Sequence, residues 1–147
     1  MKVDVMKDKI IAKYYQDKTC VIFKMADNTT YVLYHYYECS ELVELVEIIG
    51  NSDDLIGYPL LMCECEENRV ENPDSCTGSY FKTWTFYKFA TVKGYVTLRW
   101  VGESNGYYSE EVDFIEATSG DAWYLEQNVS KEAFEFLQTH CDFVAMH

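Results

Sequence analysis

Residues 80–113, YFKTWTFYKFATVKGYVTLRWVGESNGYYSEEVD, decide how this chain folds. Ten aromatic residues (Tyr80, Phe81, Trp84, Phe86, Tyr87, Phe89, Tyr95, Trp100, Tyr107 and Tyr108) stand among Val, Thr and Leu, a composition suited to paired strands. Trp84–Phe89 and Tyr95–Val101 read as a hairpin closed through Thr91–Gly94, and Tyr107–Phe114 as a third strand returning after the polar loop Gly102–Gly106. Along the first strand Trp84, Phe86 and Lys88 share one face, and Thr83, Thr85, Tyr87 and Phe89 the other. Aromatics on both faces predict a central strand covered on both sides. The density of Tyr and Trp also exceeds what strand pairing needs and points to a face or loop that meets something.

Upstream, Lys9–Tyr15, Thr19–Met25 and Thr29–Tyr36 are rich in Ile, Val, Tyr and Phe and read as antiparallel strands, with turns at Gln16–Lys18 and Ala26–Asn28. Leu42–Ile49 is ambiguous. Its neighbourhood carries acids at 41, 44 and 47, a helical spacing, but its Val and Ile content favours a strand. A short helical piece follows at Ser52–Ile56 with Ser52 as its cap, then a strand over Leu60–Glu66. Residues 66–79 lack apolar periodicity, contain Pro73 and Gly78, and read as a mobile surface loop. The last element is a helix from Lys131 to about Cys141, capped by Ser130 and burying Ala133, Phe134, Leu137 and Cys141. With no repeat and no boundary, the 147 residues are read as one α+β domain: a mainly antiparallel sheet of about six to eight strands with one principal C-terminal helix.

Twenty-five acids face 12 bases, for a net charge of −13 and a pI near 4.5. Without a Lys/Arg cluster, direct binding of nucleic acid is disfavoured. The acidity fits solubility, a basic protein partner, or imitation of nucleic acid. The first residues lack the apolar core of a signal peptide, and no apolar run approaches the roughly 18 residues of a membrane span. The expectation is a cytoplasmic protein without membrane contact, whose six cysteines are thiols or metal ligands.

Gly102-Glu-Ser-Asn-Gly106 either only turns the chain or presents Glu103 and Asn105 to a ligand. Arg99, one of two arginines, is ordinarily a salt-bridge partner, but could hold a carboxylate or phosphate. Trp84 and Phe86 could stack a base, though such platforms come with basic grooves. If a metal were held, His35, Cys39, Cys63 and Cys65 would offer four N and S ligands for zinc, but the strong paired CxxC or HxxxH spacing is absent, and no cofactor is expected. There is no GxSxG elbow and no HExxH. Adjacent acids such as Glu110-Glu111 point to opposite strand faces, so no catalytic residue is assigned and no enzyme is required.

The string TWTFYKFATVKGYVTLRWVGESNGYYSEEVDF (83–114), preceded by HYYECSELVELVEIIGNSDDLIGYPLL (35–61), resembles a family of small uncharacterised bacteriophage and prophage proteins. Members carry TWTFYK-AT-KGYVTxRWxGESNGYYSE and, upstream, a looser Asp-Cys-Cys-Glu segment. Here Glu38-Cys39-Ser40-Glu41 stands in that place, without the second cysteine. The resemblance covers about residues 30–115 and implies a mobile-element origin.

The resulting expectation is a non-enzymatic, anti-CRISPR-like inhibitor that binds a basic host protein or nucleoprotein defence complex. Glu64, Glu66, Glu67, Glu110, Glu111 and Asp113 would face a basic channel, and Trp100, Tyr107 and Tyr108 would anchor it. The alternative is sequestration of a nucleotide signal, with aromatics of the 84–100 hairpin stacking the base and Lys88, Arg99 and Asn105 holding phosphate or ribose. A metal- or thiol-dependent enzyme is the third reading. Exposed tyrosines would suit a homodimer through a sheet edge.

Overall fold

The computed structural model describes residues 2–38, 41–72, 80–105 and 109–143. Within them lie β1 (Ile11–Gln16), β2 (Val21–Met25), β3 (Thr30–Tyr34), β4 (Leu42–Ile49), β5 (Met62–Asn72), β6 (Tyr80–Thr91), β7 (Gly94–Ser104) and β8 (Asp113–Ala117). Helices α1 (Ala122–Asn128) and α2 (Lys131–His140) follow, and short 3-10 turns occupy Val3–Met6 and Ser52–Leu55. The strands form two antiparallel sheets, β1-β2-β3-β8 and β4-β7-β6-β5. The α+β class and the antiparallel pairing follow the sequence reading.

Two apolar layers hold the molecule together. Between the sheets, Val21, Phe23, Tyr31 and Leu33 of the first meet Leu45, Tyr87, Phe89, Leu98 and Trp100 of the second. On the far side of the first sheet, Ile22, Val32 and Tyr34 meet Leu125, Phe134 and Leu137 of the helices. Strands β2 and β3 are therefore buried on both faces, which is why they read as unbroken apolar runs. The helices cover the first sheet and leave one face of the second sheet to solvent.

The β6–β7 hairpin forms and runs longer than expected, from Phe81 opposite Ser104 to Thr91 opposite Gly94. Three expectations around it are corrected. Strand β6 is central but covered on one side only: Thr83, Thr85, Tyr87 and Phe89 are buried, while Trp84, Phe86 and Lys88 are partly exposed. The returning strand is short, begins at Asp113, and pairs with β3 in the other sheet. Of the segment expected as a loop, residues 66–72 extend β5 along β6, and 73–79 lie outside the described residues.

The acids at 44 and 47 have a specific cause. A bulge at Val46 shifts the register, so Glu44 lies opposite Val101 and Glu47 opposite Arg99. Residues three apart on β4 thus share one face of a strand. The Ser52–Leu55 turn is capped by Asn51, whose side chain accepts the Asp53 N–H at 3.0 Å, rather than by Ser52. Ser130 caps α2 as expected, accepting the Ala133 N–H at 3.0 Å. Helix α1 had no counterpart in the sequence reading, although Thr118 and Asp121 mark its approach: the Thr118 N–H donates to the Asp121 carboxylate at 2.8 Å.

Candidate functional site

The uncovered face of the second sheet is built by alternation. Cross-strand rows place Glu47, Arg99, Phe86 and Glu66 side by side, then Glu44, Val101, Trp84 and Asn68, then Leu42, Glu103, Lys82 and Val70. Trp84 lies between two cations, Lys82 Nζ at 4.9 Å and Arg99 Cζ at 4.8 Å from its ring centre. These two cations, and Lys88 on the same face, are each paired with an acid: Lys82 with Glu103 at 3.4 Å, Lys88 with Glu66 at 3.0 Å, Arg99 with Glu47 at 3.9 Å. Glu44 and Glu64 find no cation among the described residues, so the face carries surplus negative charge around a partly exposed aromatic centre. It gathers Trp84, Lys88, Arg99 and Glu103 from the sequence-predicted set.

Trp100 does not belong to this face. It is 0% exposed in the layer between the sheets, and its indole N–H meets no acceptor among the described residues. Strand alternation turns it away from Arg99, as the sequence predicts, but inward to the core. Tyr107, Tyr108 and Gly106 lie outside the described residues. Asn105 follows the last residue of β7.

Glu110, expected to face a partner, is also withdrawn. It is 3% exposed and collects donors from three strands: Ser104 Oγ at 2.9 Å, Thr83 Oγ1 at 3.0 Å and Arg69 Nε at 2.5 Å. Burial pushes its pKa up, but hydrogen bonds from Ser104, Arg69 and Thr83 outweigh burial and hold it below the ordinary glutamate value. Gly102 completes the arrangement. A Cβ there would run into the Glu110 carbonyl, so only glycine lets the segment cross the sheet. Gly102, Ser104 and Glu110 therefore close the fold, and the GESNG motif is more than a turn. Glu111 keeps an exposed side chain.

A cleft of about 630 Å³ opens beside edge strand β5. Val3, Tyr87, Val112 and Phe114 line it together with Cys63, Cys65 and Glu67 on the inward side of β5. Burial is the main cause raising the Cys63 thiol to about 12, with Asp4 and Asp8 adding to it. Burial likewise raises Cys65. Both thiols stay protonated at neutral pH, poor nucleophiles. Glu67 is raised by burial and then by the charge of Glu111. The four described cysteines are unpaired.

Of the residues considered for zinc, the structure describes His35, Cys63 and Cys65. Cys39 lies outside the described residues. His35 Nδ1 donates to the Glu111 carbonyl at 2.7 Å, and its Nε2 lies 3.0 Å from Glu41, whose side chain is fully buried. Among the described residues no group of three or more His, Cys, Asp or Glu side chains is placed to hold a metal. The His35–Glu41 pair was missed by the sequence reading, which weighed the two residues separately. Their six-residue spacing spans the β3–β4 connection and follows no periodic pattern. No helix among the described residues is long and apolar enough to cross a membrane.

The family model described as "Domain of unknown function (DUF7448)" matches residues 4–114. That span takes in both sheets as far as the start of β8 and stops short of the two helices. No curated protein and no solved structure matches the chain.

Proposed function

The chain belongs to the DUF7448 family, and from that premise we propose that it is a phage- or prophage-encoded, non-enzymatic inhibitor that docks on a basic host protein. The partner is a nucleic-acid-handling defence complex whose basic channel this protein occludes, in the manner of an anti-CRISPR. The observation that carries the reading is the open face of the second sheet. Trp84 and Phe86 supply apolar anchors there, ringed by Glu44, Glu47, Glu64, Glu66 and Glu103. A net charge of −13 would speed encounter with a basic surface. A nucleotide ligand suits this face less well, because Lys88 and Arg99 are already paired with Glu66 and Glu47.

The test is capture of partners from lysate of a defence-carrying bacterial host, eluted along a salt gradient. A basic nuclease or effector should elute at moderate salt. The double variant Glu64→Lys/Glu66→Lys should abolish capture while the protein stays folded, because both side chains are exposed. Trp84→Ala should weaken the complex by about tenfold or more. Failure to recover any basic partner, or capture that survives the charge reversal, overturns the reading.

A further inference from the structure

We propose that the cleft beside β5 is a binding site for an organic monocation, an amine or guanidinium carried on an apolar body. The cleft runs along edge strand β5: its inward side carries Glu67, and its rim takes in Glu64 and Glu66, which also edge the docking face. Glu67, which the docking test leaves untouched, keeps the two readings separable. The cleft's volume of about 630 Å³ falls within the range of about 300–1,000 Å³ typical of small-molecule sites. Its floor is apolar, formed by Val3, Tyr87, Val112 and Phe114, all at least nine-tenths buried in the inter-sheet layer, and its rim is polar. Its charge is one-sided: Asp4 and Glu67 stand against Lys2, with Glu64 at the rim and Glu66 there paired to Lys88.

Glu67 is the key group. It sits on the inward face of β5 in step with Cys63 and Cys65, and it makes no hydrogen bond or ion pair among the described residues. Its raised pKa, caused by burial and by Glu111, supports the same conclusion: the site holds negative charge that the protein itself does not neutralise. An ammonium or guanidinium would relieve that strain at short range, while its apolar body covers Phe114 and Tyr87. An anion such as a nucleotide would meet the same carboxylates as repulsion. The neutral thiols of Cys63 and Cys65 add a polarisable wall and no reactivity.

The experiment is a titration of the ¹⁵N-labelled full chain by NMR with 2-phenylethylammonium, beside its neutral analogue 2-phenylethanol and the anion phenylacetate. The ammonium should shift the amides of Cys63, Cys65, Glu67, Val112 and Phe114. The alcohol and the carboxylate should bind about tenfold more weakly or not at all. Glu67→Gln should weaken the ammonium about threefold or more without lowering the melting temperature, because the side chain is exposed and its charge is repelled by Glu111. Absence of shifts at these amides up to about 10 mM probe, far weaker than a formed site should give, overturns the proposal. So does equal binding of the alcohol. Neither result bears on capture of a basic protein by the docking face.

Discussion

A carboxylate at 3% exposure is tolerable only where donors surround it, and Glu110 has three. Glu110→Gln replaces a charged acceptor with an amide whose NH₂ confronts those donors. Urea unfolding at neutral pH should show a loss of about 3 kcal/mol. The pH dependence has a definite sign. The folded pKa lies below the ordinary value of 4.5, so the charge stabilises the fold above pH 4.5, and the benefit fades as pH falls through the folded value. The stability gap between the wild type and Glu110→Gln should therefore narrow below pH 4.5. A gap that stays constant into acid would show that shape, not charge, makes the difference. Gly102→Ala should cost about 2–4 kcal/mol in the same measurement, because the obstructing atom is the backbone carbonyl of Glu110 and not a flexible side chain.

At the scale of elements, the same contact logic joins the C-terminal helix to the first hairpin. Asp17, in the β1–β2 turn, accepts hydrogen bonds from Tyr15 Oη at 2.7 Å, Cys20 N at 2.8 Å and Ser130 Oγ at 2.6 Å. Ser130 in turn caps α2. One hydroxyl thus satisfies a helix end and fastens the helix to the sheet it covers. Ser130→Ala should lower stability by about 1–2 kcal/mol, more than an isolated cap. Hydrogen exchange should rise first in the α2 amides; uniform exchange along the chain would show that the tether is dispensable. The β4 bulge matters at this scale too. It keeps Glu44 and Glu47 on the open face while Leu45 and Ile48 stay opposite Trp100 and Leu98. Removing Val46 would return β4 to strict alternation with Glu44 and Glu47 still on the open face and Leu45 and Ile48 still inward. The mutant protein should fold without exposing apolar surface, and binding of a hydrophobic dye that the wild type does not bind would show that the bulge itself is needed.

Across the whole molecule, three layers of helices, sheet and sheet leave one sheet face and one edge cleft open, on a chain carrying −13. Self-repulsion of that charge should make the fold salt-sensitive. Shortening the Debye length from about 30 Å to about 8 Å, by raising NaCl from 0.01 M to 0.15 M, should raise the melting temperature by about 3 °C. A flat or falling response in differential scanning fluorimetry would mean that surface ion pairs such as Lys88–Glu66 offset the repulsion. The sequence alone determined the class and most of the strands, because period-two alternation, β-branched content and turn residues are local signals. It also determined the α2 cap, that neighbours such as Arg99 and Trp100 point to opposite faces, and the acidic balance. Only the tertiary structure decided which faces are covered. Trp84 and Trp100 are alike in sequence, yet one meets solvent and the other the core, because helices cap the first sheet and no element among the described residues caps the second. It likewise decided that Glu110 is buried, that β8 pairs with β3, and that Cys63, Cys65 and Glu67 line a cleft with Val3 and Phe114. Those facts depend on residues far apart in the chain meeting in space, and no local pattern encodes such a meeting.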